Sequence, residues 1–119
     1  MHDLPDPQSL LPLPTVTFHI LMAVASGVRH GYAIIQDVAE RTDNQLRLGA
    51  GTLYRSLERM LRQGLIEETG DRPAPEMDDE RRRYYRITTY GEAVAQAEAA
   101  RLAALLRLAR ASGFAKGRA

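Results

Sequence analysis

Three consecutive arginines, Arg81, Arg82 and Arg83, follow directly on three acids, Asp78, Asp79 and Glu80, in the stretch DDERRRYYRIT. Guanidinium groups fork onto phosphate oxygens and guanine edges in planar pairs, so a row of them at a loop tip suits a nucleic-acid backbone. A mixed charge run is also an ordinary solvated surface. On the binding reading, the acids, which DNA would repel, point away, cap the turn or hold the arginines by ion pairing. A second cationic set lies upstream, where Arg47, Arg55, Arg59 and Arg62 face the single acid Glu58. If Ala50 to Gln63 is a helix turning about 100° per residue, Gly51, Thr52, Arg55, Glu58, Arg59 and Arg62 share about one third of its circumference. Leu53, Leu57, Met60 and Leu61 fall opposite. A helix entering the major groove needs this division, because its first turns must reach base edges while arginines further along meet phosphates. A solvated arginine face is the alternative, and Tyr54, at the border of the two faces, fits the core as well as DNA.

The elements that must position these residues can be read from their periods. Met1 to Pro14 holds four prolines and no period, and reads as a flexible arm without secondary structure. Thr15 to Ser26 places Val16, Ile20, Val24 and Phe18, Leu21, Ala25 at helical spacing, with Gly27 as a stop. Gly31 to Thr42 is a second helix, with Tyr32, Ile35, Val38 and Ala39 as its inner stripe and Gln36, Asp37, Glu40 and Arg41 outward. Leu46 to Leu48 reads as a short edge strand. The third helix, Ala50 to Gln63, ends where Gly64 offers a left-handed cap. LIEET, from Leu65, and RRYYRIT, from Arg82, are two strands of a hairpin; Tyr85 and Ile87 share one face, Tyr84 and Arg86 the other. Thr89 to Ala111 is a long alanine- and leucine-rich final helix. Its arc of Val94, Ala97, Leu102, Leu105 and Leu108 lies opposite Glu92, Gln96, Arg107 and Arg110. Glu98 and Arg101 interrupt that arc, either as a local pair or as a bridge between subunits.

Composition excludes several classes. In 119 residues there is room for one modest core and, with no cysteine, no disulfide framework, thiolate zinc site or cysteine nucleophile. No apolar run approaches the ~18 residues of a membrane span, and the acidic, proline-broken N-terminus is unlike a signal peptide, so a cytoplasmic protein away from the membrane is expected. The net charge of +1 hides a local concentration of basic residues, all but Lys116 being arginine. His2, His19 and His30 are scattered and form no metal trio, His30 standing at a helix start where it would cap or pack. With no phosphate-binding glycine loop and no nucleophile elbow, neither an enzyme nor a cofactor is expected.

Three blocks, HGYAII at His30 to Ile35, GAGTLYRSLERMLRQGLIE at Gly49 to Glu67 and DDERRRYYRITTYG at Asp78 to Gly91, together resemble the signatures of the PadR family of bacterial transcriptional regulators. The resemblance covers about residues 15 to 111 and is closest to the short members with a single C-terminal helix. It implies a mainly α protein with a small β-hairpin: an N-terminal arm (1–14), a winged helix-turn-helix (15–88), a dimerising C-terminal helix (89–112) and a flexible tail (113–119). Matched residue by residue, it implies DNA contact by Thr52, Tyr54 and Arg55 and by Arg81, Arg82 and Arg83, to which the exposed face of the third helix adds Gly51 and Arg59. Where the family often has Ser-Pro, this chain has Gly49-Ala50, an acceptable N-cap followed by a good helix former.

Two functions follow as expectations. The first is a homodimeric repressor on a two-fold symmetric operator in double-stranded DNA, joined through Val94, Ala97, Leu102, Leu105 and Leu108. A small molecule or a partner would release it, with Phe18, Met22 and the leucines as lining for a small hydrophobic effector. The second is a winged-helix module that docks another protein without specific DNA binding. Arginines where protein docking would favour apolar anchors support the first.

Overall fold

The computed structural model describes residues 4–70 and 82–116. A 3-10 turn at Pro7–Leu10 precedes α1 (Thr15–Ala25), β1 (Arg29–His30), α2 (Gly31–Arg41), α3 (Ala50–Gln63), β2 (Ile66–Thr69), β3 (Tyr84–Ile87) and α4 (Thr89–Ala111). The helices and the β2–β3 hairpin stand where the periods put them. The core is one cluster drawn from every long helix and the sheet: Ile20, Leu21 and Val24 from α1, Ile34 and Val38 from α2, Leu53, Leu57 and Met60 from α3, Ile66 and Tyr85 from the hairpin, and Val94 from α4.

Local chemistry explains the boundaries that position the site. Gly64, at φ 79°, closes α3: its amide donates to Leu61 and that of Leu65 to Met60, satisfying two end carbonyls and turning the chain into β2. The start of α3 at Gly49 has no side-chain cap. The hairpin is antiparallel with Glu67 opposite Arg86, and these two form a cross-strand ion pair at 2.6 Å. Thr88 caps α4 by accepting from the Gly91 amide, and its hydroxyl lies 2.6 Å from the Gly64 carbonyl, tying the last helix to the end of α3.

Three expectations need correction. The sheet has three strands in the order β1-β3-β2, and the third is Arg29–His30, not Leu46 to Leu48. The Leu46 amide is taken by Thr42 Oγ1 at 3.0 Å, while Leu48 is buried in the core from a loop. The arm carries the 3-10 turn: its Leu13 is buried, Leu10 and Leu11 pack on the core, and the Tyr90 hydroxyl donates to the Pro5 carbonyl at 2.7 Å. The inner stripe of α2 is Gly31, Ile34 and Val38, and Tyr32 is 61% exposed. Both tyrosines of β3 are buried, because Tyr84, on the face opposite the main core, meets the His30 ring edge-on at a 5.3 Å centroid distance.

Candidate nucleic-acid interface

One surface gathers the start of α3, the start of α2 and the wing strand β3. In α3, burial of Leu53, Leu57 and Met60 leaves Gly51, Thr52, Tyr54, Arg55, Glu58, Arg59 and Arg62 exposed, so the division into apolar and basic faces is present as expected. Tyr54, ambiguous by position, is 53% exposed. Arg62 is engaged along the helix by Glu58 at 3.4 Å, whereas Arg55 and Arg59 make no ion pair among the described residues. The Arg55 guanidinium lies over Gly51: a Cβ there would stand 3.1 Å from its Nη1. A side chain at this position would therefore shift only the flexible end of Arg55.

The wing brings Arg82 and Arg83 to the same side, both exposed. Arg83 is 3.9 Å from Glu68 on the paired strand, a solvent-exposed contact of little energetic weight. Arg81, like Asp78, Asp79 and Glu80, lies outside the described residues. Between wing and helices run two clefts that share Tyr54, Arg83 and Tyr85. One, of 360 Å³, is lined also by His30, Gly31, Tyr32 and Arg82. The other, of 530 Å³, is lined by Gly51, Arg55, Leu57, Glu58 and Leu61. Burial, and then the nearby Glu68 carboxylate, hold the Tyr85 phenol above its ordinary value, so it remains neutral.

His30 and Tyr32 were not among the residues expected at this surface. His30 does cap α2, Nδ1 accepting from the Ala33 amide at 3.2 Å, but Nε2 sits 3.3 Å from Arg82 Nη1 at the foot of the wing. Burial, and secondarily the Arg82 charge, hold its pKa below 6.5, so the ring is neutral at physiological pH. Gly31 supplied the signal that was missed. A Cβ there would stand 2.6 Å from the Tyr54 hydroxyl and 3.2 Å from Leu53 Cδ2, so α2 and α3 pack through this position and bring His-Gly-Tyr beside the third helix.

The dimer arc divides. Val94 is wholly buried within its own chain and Ala97 half-buried, while Leu102, Leu105 and Leu108 are exposed, along with Leu106, which the arc omitted. Glu98, read as an interruption, is buried. It binds Arg101 through both oxygens, at 2.7 and 3.0 Å, within the chain. The Arg101 bond, ahead of the opposing effect of burial, holds its carboxyl below the ordinary value. Among the described residues no cluster of side chains could hold a metal ion, and no helix is long and apolar enough to cross a membrane.

A helix-turn-helix whose third helix shows a basic face, flanked by a β-hairpin wing and followed by a long helix, defines a winged-helix protein. Residues 20–97 match the model of the transcriptional regulator PadR-like family, and the chain belongs to that family, one of regulators and not of enzymes. It is similar to a solved transcriptional regulator from Clostridium thermocellum, at 25% identity and a TM-score of 0.68 over 85% of this chain and 90% of that one. Its fold is also that of Bacillus subtilis PadR, solved in complex with operator DNA, at 18% identity and a TM-score of 0.58 over 76% of this chain and 48% of that one. A curated Lysinibacillus sphaericus protein, uncharacterized protein X, is 36% identical over 75 residues, 62% of this chain. The matched region spans 65% of that relative's length.

Proposed function

We propose that the protein is a cytoplasmic, sequence-specific DNA-binding repressor that acts as a homodimer on a two-fold symmetric operator. The observation that carries this reading is the co-location of the exposed α3 face (Gly51, Thr52, Tyr54, Arg55 and Arg59) with wing arginines Arg82 and Arg83. The first turns of α3 reach base edges in the major groove, and the wing lies on the backbone. Family membership supports it, as does the operator complex of the B. subtilis protein of the same fold. The dimer follows from α4, where Leu102, Leu105, Leu106 and Leu108 leave apolar surface that a second copy of the helix would cover. A small hydrophobic effector that competes for those leucines, or for half-buried Phe18 and Met22 on α1, would shift the spacing of the two α3 helices and release DNA.

The test is to incubate the protein with total genomic fragments, recover the retarded ones and sequence them. Enrichment of one short two-fold symmetric motif with half-sites about 10 bp apart is expected. Retardation without enrichment, or none, would favour the protein-docking module.

A further inference from the structure

We propose that the cleft between the start of α2 and the wing seats one backbone phosphate of bound DNA, with His30 Nε2–H and the Arg82 guanidinium as paired donors and Tyr32 and Arg83 in its walls. This rests on the DNA-binding reading and deepens it by assigning a phosphate contact to the second helix.

The α2 cap sets the tautomer of His30. The Ala33 amide can only donate, so His30 Nδ1, its partner at 3.2 Å, must present a lone pair. A neutral ring that accepts at Nδ1 carries its hydrogen on Nε2. Nε2 stands 3.3 Å from Arg82 Nη1, which is also only a donor. Two donors that converge in this way do not satisfy each other; they match one anionic oxygen accepting from both.

The ring cannot turn away without loss, since Nδ1 holds the α2 cap and Tyr84 meets it at an interplanar angle of 89°. Among the described residues, the cleft before it, 360 Å³, is lined by His30, Gly31, Tyr32, Tyr54, Arg82, Arg83 and Tyr85; Glu68 reaches Arg83 from the neighbouring strand. The amides at the start of α2 add partial positive charge at its floor. The Gly31–Tyr54 contact places the seat against the first turn of α3. A backbone phosphate flanking the bases read by α3 is thus the anion that this position meets.

The test is a coupling experiment on an operator fragment recovered as above. Single methylphosphonate linkages, which remove one phosphate charge at a time, are scanned along the duplex with wild type and with His30→Asn. Asparagine keeps an oxygen for the Ala33 cap but is too short to reach the Nε2 position. Wild type is expected to lose about tenfold in affinity at one linkage per half-site, the size of a charge-assisted hydrogen bond. His30→Asn is expected to lose about as much on the unmodified operator, with no further loss at that linkage. Its salt slope should be unchanged, because a neutral donor displaces no counterion.

Unaltered binding by a folded His30→Asn, or an undiminished methylphosphonate loss in it, overturns the seat while leaving DNA binding intact. Failure of wild type to bind any fragment overturns the underlying reading instead. If His30→Asn does not fold, Arg82→Ala, on an exposed side chain, takes its place in the same cycle, and an undiminished linkage loss there overturns the seat. Inorganic phosphate added to free protein separates the sources. No saturating shift of the His30 ring protons at low millimolar phosphate is expected, and such a shift would reassign the cleft to a free phosphate ligand.

Discussion

Gly91→Ala should loosen the junction between α4 and the winged domain. A Cβ at position 91 would stand 2.0 Å from the Leu65 carbonyl oxygen and 3.0 Å from Leu65 C and Ile87 Cγ1. The first obstacle is backbone and cannot rotate aside, so restoring even 3.0 Å requires the start of α4 to move by about 1 Å. That shift pulls Thr88 from its place. The Thr88 amide donates to the Leu65 carbonyl at 3.1 Å, and its Oγ1 accepts from Gly91 at 2.9 Å while donating toward Gly64. Losing the cap costs about 1 kcal/mol and the bonds to the 64–65 carbonyls about 1 kcal/mol each. The helix preference of alanine over glycine offsets about 1 kcal/mol, leaving a net loss of ~2 kcal/mol, or more if the core is strained. Urea and thermal unfolding followed by circular dichroism, at one protein concentration, should show a Tm lower by about 10 °C. Gly51→Ala, whose Cβ meets only the end of Arg55, serves as the stability control and should be neutral or slightly stabilising. Equal melting of Gly91→Ala and wild type would refute the packing that anchors α4.

Arg82→Ala should weaken operator and scrambled duplex alike and lower the slope of log K against log salt by about one, read from titrations at several salt concentrations. Leu105→Glu, placing a charge on the bare leucine surface of α4, should shift the protein to monomer or aggregate in light scattering; an unchanged dimer would move the interface elsewhere. Gly31→Ala presses on the end of the Tyr54 side chain and on Leu53, and should reduce DNA affinity more than it lowers the melting point. Acid should act through His30 before Glu98. With the folded pKa of His30 below 6.5, the unfolded chain takes up the proton first, so stability falls from about pH 6.5 until the folded pKa is passed and is then flat. Glu98, held below 4.5, contributes fully above that pH and is lost only as pH falls through its lower folded pKa. Urea midpoints at pH 7.5 and 5.5 should therefore differ by less in His30→Asn than in wild type.

The helices and the hairpin were legible because their determinants are local. The i, i+4, i+7 spacing of Leu53, Leu57 and Met60 fixes which side of α3 is buried, and that alone decides which residues face out. What the sequence concealed depends on contacts distant along the chain. Arg29–His30 is too short to carry a strand pattern and is a strand only because Tyr84 and Tyr85 lie beside it. Tyr32 looks apolar enough for the core, but Gly31, without a side chain, takes the close contact with α3 and turns Tyr32 outward. The arm lacks a period, yet Leu13 is buried and the Tyr90 hydroxyl donates to the Pro5 carbonyl, a pairing across 85 residues that no window reveals. The wing strand was legible in its β-rich run, which pairs with β2 over Tyr84–Ile87.

Base reading by the first turns of α3 is the centre of the account, and Arg55 tests it most directly. Wild type and Arg55→Ala are each titrated against an operator duplex and a scrambled duplex of equal length at one salt concentration. The expected result is a loss of ~1 to 3 kcal/mol per half-site on the operator, with a smaller loss on the scrambled duplex, if Arg55 forks onto a guanine edge. Equal losses on the two duplexes would contradict it, reducing Arg55 to a phosphate contact and placing sequence recognition outside α3.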